Sequence, residues 1–351
     1  MNLSGIKGAI LEELILHLLE KVGYRIILPE EEGTRNGKSG LDVQGRGDWH
    51  QIDAFAAFEY TPAFMYPLRL FVEAKCYDDS RPIGIEVVRN AVATLKDISE
   101  NYFTYRLNES KSDSLKVQRF NYQSAIFSTS GYTKGAQNFA IAHQIFLIQY
   151  DGISPFKPIS EGLQLLKDYY FKKDVPTRKG SQNQIRQFVR ALLNNEEILN
   201  NNPFEEEGLQ FFRENIARPL QSIEGSYFGM LHGKWPIHLL SEKPLPASLF
   251  KGSDSIRCRI LDTENNMSWS LEPLDRTDKR FKLEFSLPST IAEFVTISEK
   301  DNDRITNHKQ REKSSFITIS GQIGGLRRQI CLELDEQWIY NHSRHFHQNN
   351  T

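Results

Sequence analysis

Residues 69–77, RLFVEAKCY, set an acid and a lysine two positions apart inside a β-branched and aromatic run. Such a run reads as a central strand. Side chains alternate along a strand, so Glu73, Lys75 and Tyr77 share one face while Val72, Ala74 and Cys76 share the other. Charges on an otherwise apolar strand are costly to bury unless something compensates them. A divalent cation held by the acid compensates, and leaves the lysine for a water or a phosphate oxygen. A second acid, Asp53, stands twenty residues upstream, at the end of a strand able to pair beside this one, which gives D-x19-E-x-K. Asp48 competes for that role, but it belongs to a glycine-rich turn where aspartate is structurally favoured.

The chemistry explains the residue types. Phosphodiester hydrolysis needs a hydroxide, neutralisation of the charge on phosphorus, and help for the departing oxyanion. Mg²⁺ binds through one or two hard carboxylates, its own waters and substrate phosphate. It lowers the pKa of a bound water and draws charge from phosphate. A lysine beside that water orients it or takes its proton. Asp53 and Glu73 are therefore the expected metal ligands and Lys75 the water-orienting residue. Glu12, on the first helix, is a further candidate carboxylate for the metal side. Mn²⁺ is an expected substitute for Mg²⁺.

Around this element the chain reads as an α/β layer fold, one mixed sheet flanked by helices. Residues 8–22 have helical periodicity with a broad apolar face, and Gly23 stops them. YRIIL follows as a strand, and 29–40 as a polar loop. Residues 41–58 read as a strand that bends at Gly45 and Gly47. Residues 85–99 are helical, 108–119 an exposed loop, 123–129 a strand, 130–143 a helix and 144–152 a strand. From Pro155 to residue 222 the sequence is polar and mainly helical, with segments 182–194 and 205–216. After Gly225, eight short strand-like runs separated by turn residues predict a small all-β barrel or sandwich. They are SYFGML, WPIHLL, SIRCRIL, MSWSLEPL, FKLEFSL, AEFVTIS, SFITISG and RRQICLEL. The expected division is 1–153 for the α/β unit, 154–223 for a helical linker, 224–340 for the β domain and 341–351 for a flexible tail.

Four segments, in order, resemble the PD-(D/E)xK nuclease superfamily and its Mrr-like restriction endonuclease branch. GAILEELILHLLEKVGYRI is similar to the opening helix, with an acid followed eleven residues later by Gly-Tyr, a register that selects Glu12 over Glu13. GRGDWHQIDAF resembles the approach to the metal-binding aspartate, Asp53, and VEAKCY the (D/E)xK element. SAIFSTSGYTKGAQNFAIAHQIFLI resembles the closing strand, turn and helix. Ile52 stands where the superfamily name has proline, and Glu73 where many Mrr-like members carry glutamine. The resemblance covers residues 5–150. It implies a restriction-endonuclease-like core, Mg²⁺-dependent DNA cleavage and a restriction or anti-phage role.

The formal net charge is −2, so DNA binding requires a locally basic groove rather than bulk attraction. Candidate contacts are Arg89, Ser130 and Lys134 at helix starts. Arg186 and Arg190, spaced i, i+4 near Lys179, form a stripe able to follow a phosphate backbone. For Ser128, Thr129 and Ser130 the competing reading is helix capping, and for Glu86 a first-turn acid favoured by the helix dipole. His342, His345 and His347 lack an acid or cysteine partner nearby and are discounted as a metal cluster. Cys76, Cys258 and Cys331 are widely spaced, which suggests reduced thiols inside the cell. The absence of an apolar run long enough for a membrane predicts a soluble cytoplasmic protein. Expected partners are DNA, a second copy of the chain, and a protein bound by the β domain. The rival expectation is a catalytically silent nuclease fold serving as a nucleic-acid-binding scaffold, or a nuclease for RNA or branched DNA.

Overall fold

The computed structural model describes residues 3–37, 40–61, 63–78, 80–106, 114–175, 181–196, 202–231, 235–246, 248, 255–262, 268–274, 281–292 and 316–334. The chain starts with helix α1 (Leu3–Val22), ended by Gly23 at φ 107°, where the missing Cβ permits the turn into β1 (Tyr24–Ile26). Then come β2 (Thr34–Asn36), β3 (Leu41–Gln44), β4 (Trp49–Ile52), β5 (Ala54–Phe58), β6 (Leu68–Lys75), α2 (Ile85–Ser99), β7 (Phe103–Arg106), β8 (Ser114–Val117), β9 (Asn121–Ser128), α3 (Lys134–His143) and β10 (Phe146–Gln149).

Five of these strands form a mixed sheet in the order β1-β5-β6-β9-β10. β1, β5 and β6 are antiparallel neighbours, whereas β6, β9 and β10 run parallel and are joined through α2 and α3. Parallel neighbours need such crossovers. Leu70, Val72 and Ala74 of β6 pack with α1 on one face, and on the other Ile126 of β9 packs with Val88 of α2 and Ala136 of α3. Glu73 pairs with Ile126 in the ladder, so it belongs to the α2–α3 side.

The polar stretches hold more structure than their composition suggests. At residues 45–48 the chain reverses instead of bending, so β3 and β4 are antiparallel partners, and with β2 they make a separate three-stranded sheet. The expected loop at 108–119 is in part the second strand of a β7–β8 hairpin. Alternation is weak in the β7–β8 hairpin because its described residues bury little.

The segment expected to be a linker is packed into the main core. It comprises α4 (Lys157–Leu165), a 3₁₀ turn (Asp168–Tyr170), α5 (Ser181–Leu193), α6 (Glu206–Phe212) and α7 (Arg218–Ser222). Ile159, Leu163, Ile185, Val189, Phe212 and Ile216 share one apolar cluster with Ile10, Leu14 and Leu18 of α1. Its polar composition hid narrow apolar stripes that need α1 to cover them. A π-helical turn (Arg213–Ala217) joins α6 to α7. Pro219 accounts for it, because proline lacks the N–H and its ring crowds the carbonyl four residues back.

The C-terminal strands close a seven-stranded barrel. They are β11 (Gly225–Leu231), β12 (Trp235–Ser241), β13 (Ser255–Asp262), β14 (Trp269–Pro273), β15 (Leu283–Phe285), β16 (Phe316–Ile323) and β17 (Leu326–Leu334). Their order is β11-β12-β15-β14-β13-β17-β16, with β16 paired back to β11. Gly324 and Gly325, at φ 61° and 76°, form the two-residue turn between β16 and β17 that positive φ at both positions allows. Tyr227, Leu239, Leu271, Phe285, Ile319 and Leu332 fill the interior. Of the expected strand AEFVTIS, Ala292 ends a helical turn over residues 289–292, and the rest lies outside the described residues. Outside them too are Lys179, the tail after Tyr340 and its three histidines. Among the described residues no helix is long and apolar enough to cross a membrane.

A buried polar relay ties the barrel to the α/β unit. Ser226 Oγ donates to the Leu18 carbonyl of α1 (3.1 Å), so its oxygen accepts from His238 Nε2 (2.8 Å), which leaves His238 Nδ1 to accept from Tyr150 OH (2.9 Å). His238 also stacks on Phe228, and burial pushes its pKa down to about 3. The folded pKa lies below the ordinary 6.5, so the neutral imidazole stabilises the fold fully above pH 6.5 and progressively less as pH falls towards 3. His238→Phe keeps the stacking and orphans the Tyr150 hydroxyl. We expect it to cost about 1–3 kcal/mol at pH 7.5, and to flatten the loss of stability between pH 6.5 and pH 4 in chemical denaturation.

Candidate active site

Three of the residues singled out in the sequence meet at one end of the sheet. Asp53 occupies the single position between β4 and β5, directly before the Ala54–Val72 pair of the β5–β6 ladder, and so stands beside Glu73. Its Oδ2 accepts from the Ala74 amide at 3.3 Å, which fixes the carboxylate against β6. Lys75 Nζ lies 3.4 Å from the same oxygen and also pairs with Glu73 Oε1. The ammonium therefore bridges both acids. All three side chains keep some contact with solvent, at 21% for Asp53 and Lys75 and 34% for Glu73, so a ligand can reach them.

The electrostatics follow from that crowding. Burial raises the Glu73 pKa, and the charge of Asp53 raises it further, against the pull of Lys75. Burial alone would lower the Lys75 pKa, but Asp53 and then Glu73 outweigh it and hold the ammonium protonated well beyond its usual range. Lys75 is thus a hydrogen-bond donor and a fixed positive charge at neutral pH.

Glu12 is placed differently from a free ligand. It is 4% exposed, and Arg186 of α5 donates from Nε to its Oε2 at 2.5 Å. Burial, and after it the nearby charge of Asp53, push the Glu12 pKa up to about 8, with Arg186 opposing. Among the described residues no three His, Cys, Asp or Glu side chains gather into a ready-made metal cage. The available donor set is Asp53 and Glu73, which suits an ion that takes one or two carboxylates and keeps its waters for substrate oxygens.

The expected nucleic-acid contacts divide in two. Arg89 and Lys134 are exposed on α2 and α3, on the side of the sheet that carries Glu73, with the Arg89 guanidinium 5.8 Å from the Phe139 ring centre. Ser130 is not available: it is fully buried, and its hydroxyl donates to the Arg81 carbonyl. Thr129 likewise donates to the Tyr77 carbonyl, and Thr133 caps α3 by accepting from the Ala136 amide. Arg186 and Arg190 do not form an exposed stripe either. They turn inward to Glu12 and Glu13, because those acids sit on a helix whose residues 9–16 are all buried and offer no route to water. That unbroken burial was legible as glutamates inside an apolar run.

Asp97 is a structural support beside the candidate site that sequence reasoning passed over. It accepts from the Gly47 and Asp48 amides and lies 2.7 Å from His50 Nε2, which ties the β3–β4 turn to α2. The pair with His50 holds its pKa below the usual carboxylate range. β4 leads directly into Asp53, so this contact steadies the approach to the site. Nothing in the local sequence around Asp97 marks it.

No known family model matches the chain, and no curated protein matches it. A crystallised protein of unknown function, AF1548, is similar over 60% of this chain and 96% of its own, at 15% identity and a TM-score of 0.36. That likeness is too low to carry an argument about fold or activity.

Replacing Lys75 with Met leaves Asp53 and Glu73 facing each other without their shared cation. Glu73 then rises further above its ordinary 4.5, and a raised carboxyl pKa costs stability only where the unfolded group would ionise, above about that pH. We expect Lys75→Met to lose about 2 kcal/mol at pH 8, less than the ~3–5 kcal/mol of a fully buried broken pair. Urea denaturation should show little loss at pH 5, and millimolar Mg²⁺ should restore part of the loss at pH 8.

Proposed function

We propose that this chain is a metal-dependent nuclease that hydrolyses DNA phosphodiester bonds on a restriction-endonuclease-like core. The observation that carries the reading is the convergence of Asp53, Glu73 and Lys75, from two adjoining strands, on one solvent-reachable point. A scaffold gains nothing from two crowded acids and a lysine at the end of its central strand.

Asp53 and Glu73 would hold Mg²⁺ or Mn²⁺, which when bound supplies a more acidic water and draws charge from the scissile phosphate. The Ala74 amide keeps the Asp53 carboxylate turned towards β6. Lys75, protonated at neutral pH, orients the attacking water by donating to its oxygen, and adds positive charge beside the pentavalent phosphorus. It works as a donor and not as the base. Arg89 and Lys134 give the same side of the sheet a local positive charge for the DNA backbone, which the net charge of −2 does not provide. The barrel interior is filled by side chains, so any recognition of DNA or of a protein by this unit uses its outer surface and loops. A role in restriction or anti-phage defence, and action as a dimer on two strands, accord with this chemistry.

The test is cleavage of supercoiled plasmid by the full chain with Mg²⁺, with Mn²⁺ and with EDTA. We expect nicking or linearisation that needs the metal and falls at least about a hundredfold in Lys75→Ala, within the usual worth of a positioned proton donor or acceptor. Failure of the wild type to cut plasmid, modified or unmodified phage DNA, or RNA would sink the reading in favour of a nuclease-fold scaffold.

A further inference from the structure

Two residues beyond Lys75 the chain presents Tyr77, and Arg81 folds back over its ring. The Arg81 guanidinium carbon lies 4.4 Å from the ring centre. Contacts from the end of β9 hold this loop against the end of β6. The Thr129 amide donates to the Lys75 carbonyl at 3.2 Å, and the Thr129 hydroxyl to the Tyr77 carbonyl at 2.8 Å. The buried Ser130 hydroxyl donates to the Arg81 carbonyl at 3.0 Å. Tyr77 packs on the cluster of Ile126, Val88 and Ala136, the side of the sheet to which Glu73 belongs. Two extended residues span at most about 7 Å, so Tyr77 stays close to Lys75. Arg81 is also unclaimed. Arg25, Arg35, Arg46 and Arg119 of the same unit each pair with a carboxylate. Arg81 is exposed, and among the described residues no carboxylate pairs with it. Asp78, three positions before it, is taken up by the Ser80 amide and hydroxyl.

We propose that Arg81, braced on Tyr77, binds a backbone phosphate of the DNA strand being cut, beside the scissile bond. This rests on the reading of Asp53, Glu73 and Lys75 as a nuclease site. Stacking on a ring uses the face of a guanidinium and leaves its in-plane N–H groups free. Those N–H groups form the fork that donates to two phosphate oxygens at once. The ring fixes the side chain before DNA arrives, so less freedom is lost on binding. The placement also answers an electrostatic difficulty. Two acids at the end of β6 repel a polyanion, and an unpaired cation on the same side of the sheet offsets that repulsion. Arg81 contributes to holding the strand and takes no part in proton transfer.

Binding of a short fluorescent DNA duplex to the full chain, followed by anisotropy with Ca²⁺ in place of Mg²⁺, tests this apart from cleavage. Repeating it over a series of salt concentrations counts phosphate contacts, because log K falls with log salt by about 0.9 for each. Arg81→Gln should weaken binding roughly tenfold, the worth of one charged hydrogen-bonded contact. It should also make the salt slope shallower by about one. Arg81→Lys keeps the charge and the slope but loses the fork, so its affinity should fall between the two. Tyr77→Leu removes the brace and should weaken binding about threefold with the slope intact. Arg25→Gln removes an equal charge at the far end of β5 from Asp53, and should leave affinity and slope unchanged. Equal losses in Arg81→Gln and Arg25→Gln overturn the inference, since overall charge then decides. A wild-type slope in Arg81→Gln overturns it even where affinity drops, because the residue then supports the loop without touching phosphate. If the wild type cuts plasmid and binds the duplex but is indifferent to Arg81, the phosphate contact alone is lost. A wild type that neither binds nor cuts DNA removes the nuclease reading along with it.

Discussion

Residues 9–16 of α1 are buried without a break, more than two full turns, so every direction around this helix has to be covered by something. The central sheet covers one side through Leu70, Val72 and Ala74, and α4 to α7 cover another. The barrel covers a third, with Ser226 hydrogen-bonded to the Leu18 carbonyl. Each large aliphatic side chain removed from water here contributes about 1.5–3 kcal/mol, and no single neighbour is broad enough to remove them all. The three parts of the chain are therefore held together by a shared need to bury one helix.

That arrangement explains why two glutamates on α1 are tolerable. A carboxylate at the centre of such a packing cannot reach water, and leaving it unpaired is far costlier than the loss of any one apolar contact. α5 brings both countercharges on a single helix, at i and i+4, so one docking event satisfies both acids. Removal of either arginine leaves a buried carboxyl without its partner, which is the expensive way to break such a pair.

The regular parts of the fold were legible because their periodicity is strong. The apolar run of α1, the dense strand around Glu73 and Lys75, and the alternation of strands and helices up to residue 152 all follow from local pattern. So did most of the barrel strands, through their turn residues. The reversal at 45–48 was hidden because Gly45 and Gly47 announce a break without giving its direction. Asp97 and the inward turn of Arg186 and Arg190 were hidden for a deeper reason. An arginine beside Ile185 and Val189 looks the same in sequence whether its helix faces solvent or a buried acid, and the acids that decide the matter lie 174 and 177 residues away. Asp53, Glu73 and Lys75 could be picked out because the ladder brings neighbouring strand positions together. Arg186 was read as a phosphate contact, and its pairing with Glu12 could not be seen, since it arrives from a separate layer.

Consecutive residues on an α-helix point about 100° apart, given 3.6 residues per turn. Glu12 and Glu13 must therefore look out on different surroundings even though one helix neutralises both. Glu12 meets Arg186 and feels the charge of Asp53, while Glu13 meets Arg190, one turn further along α5, in a forked contact. One helix thus neutralises two acids of different surroundings, and burial together with the charge of Asp53 raises the Glu12 pKa. The two arginines share a helix and a sequence context, though Arg186 is the more deeply buried. What distinguishes them is the direction in which each neighbouring acid leaves α1.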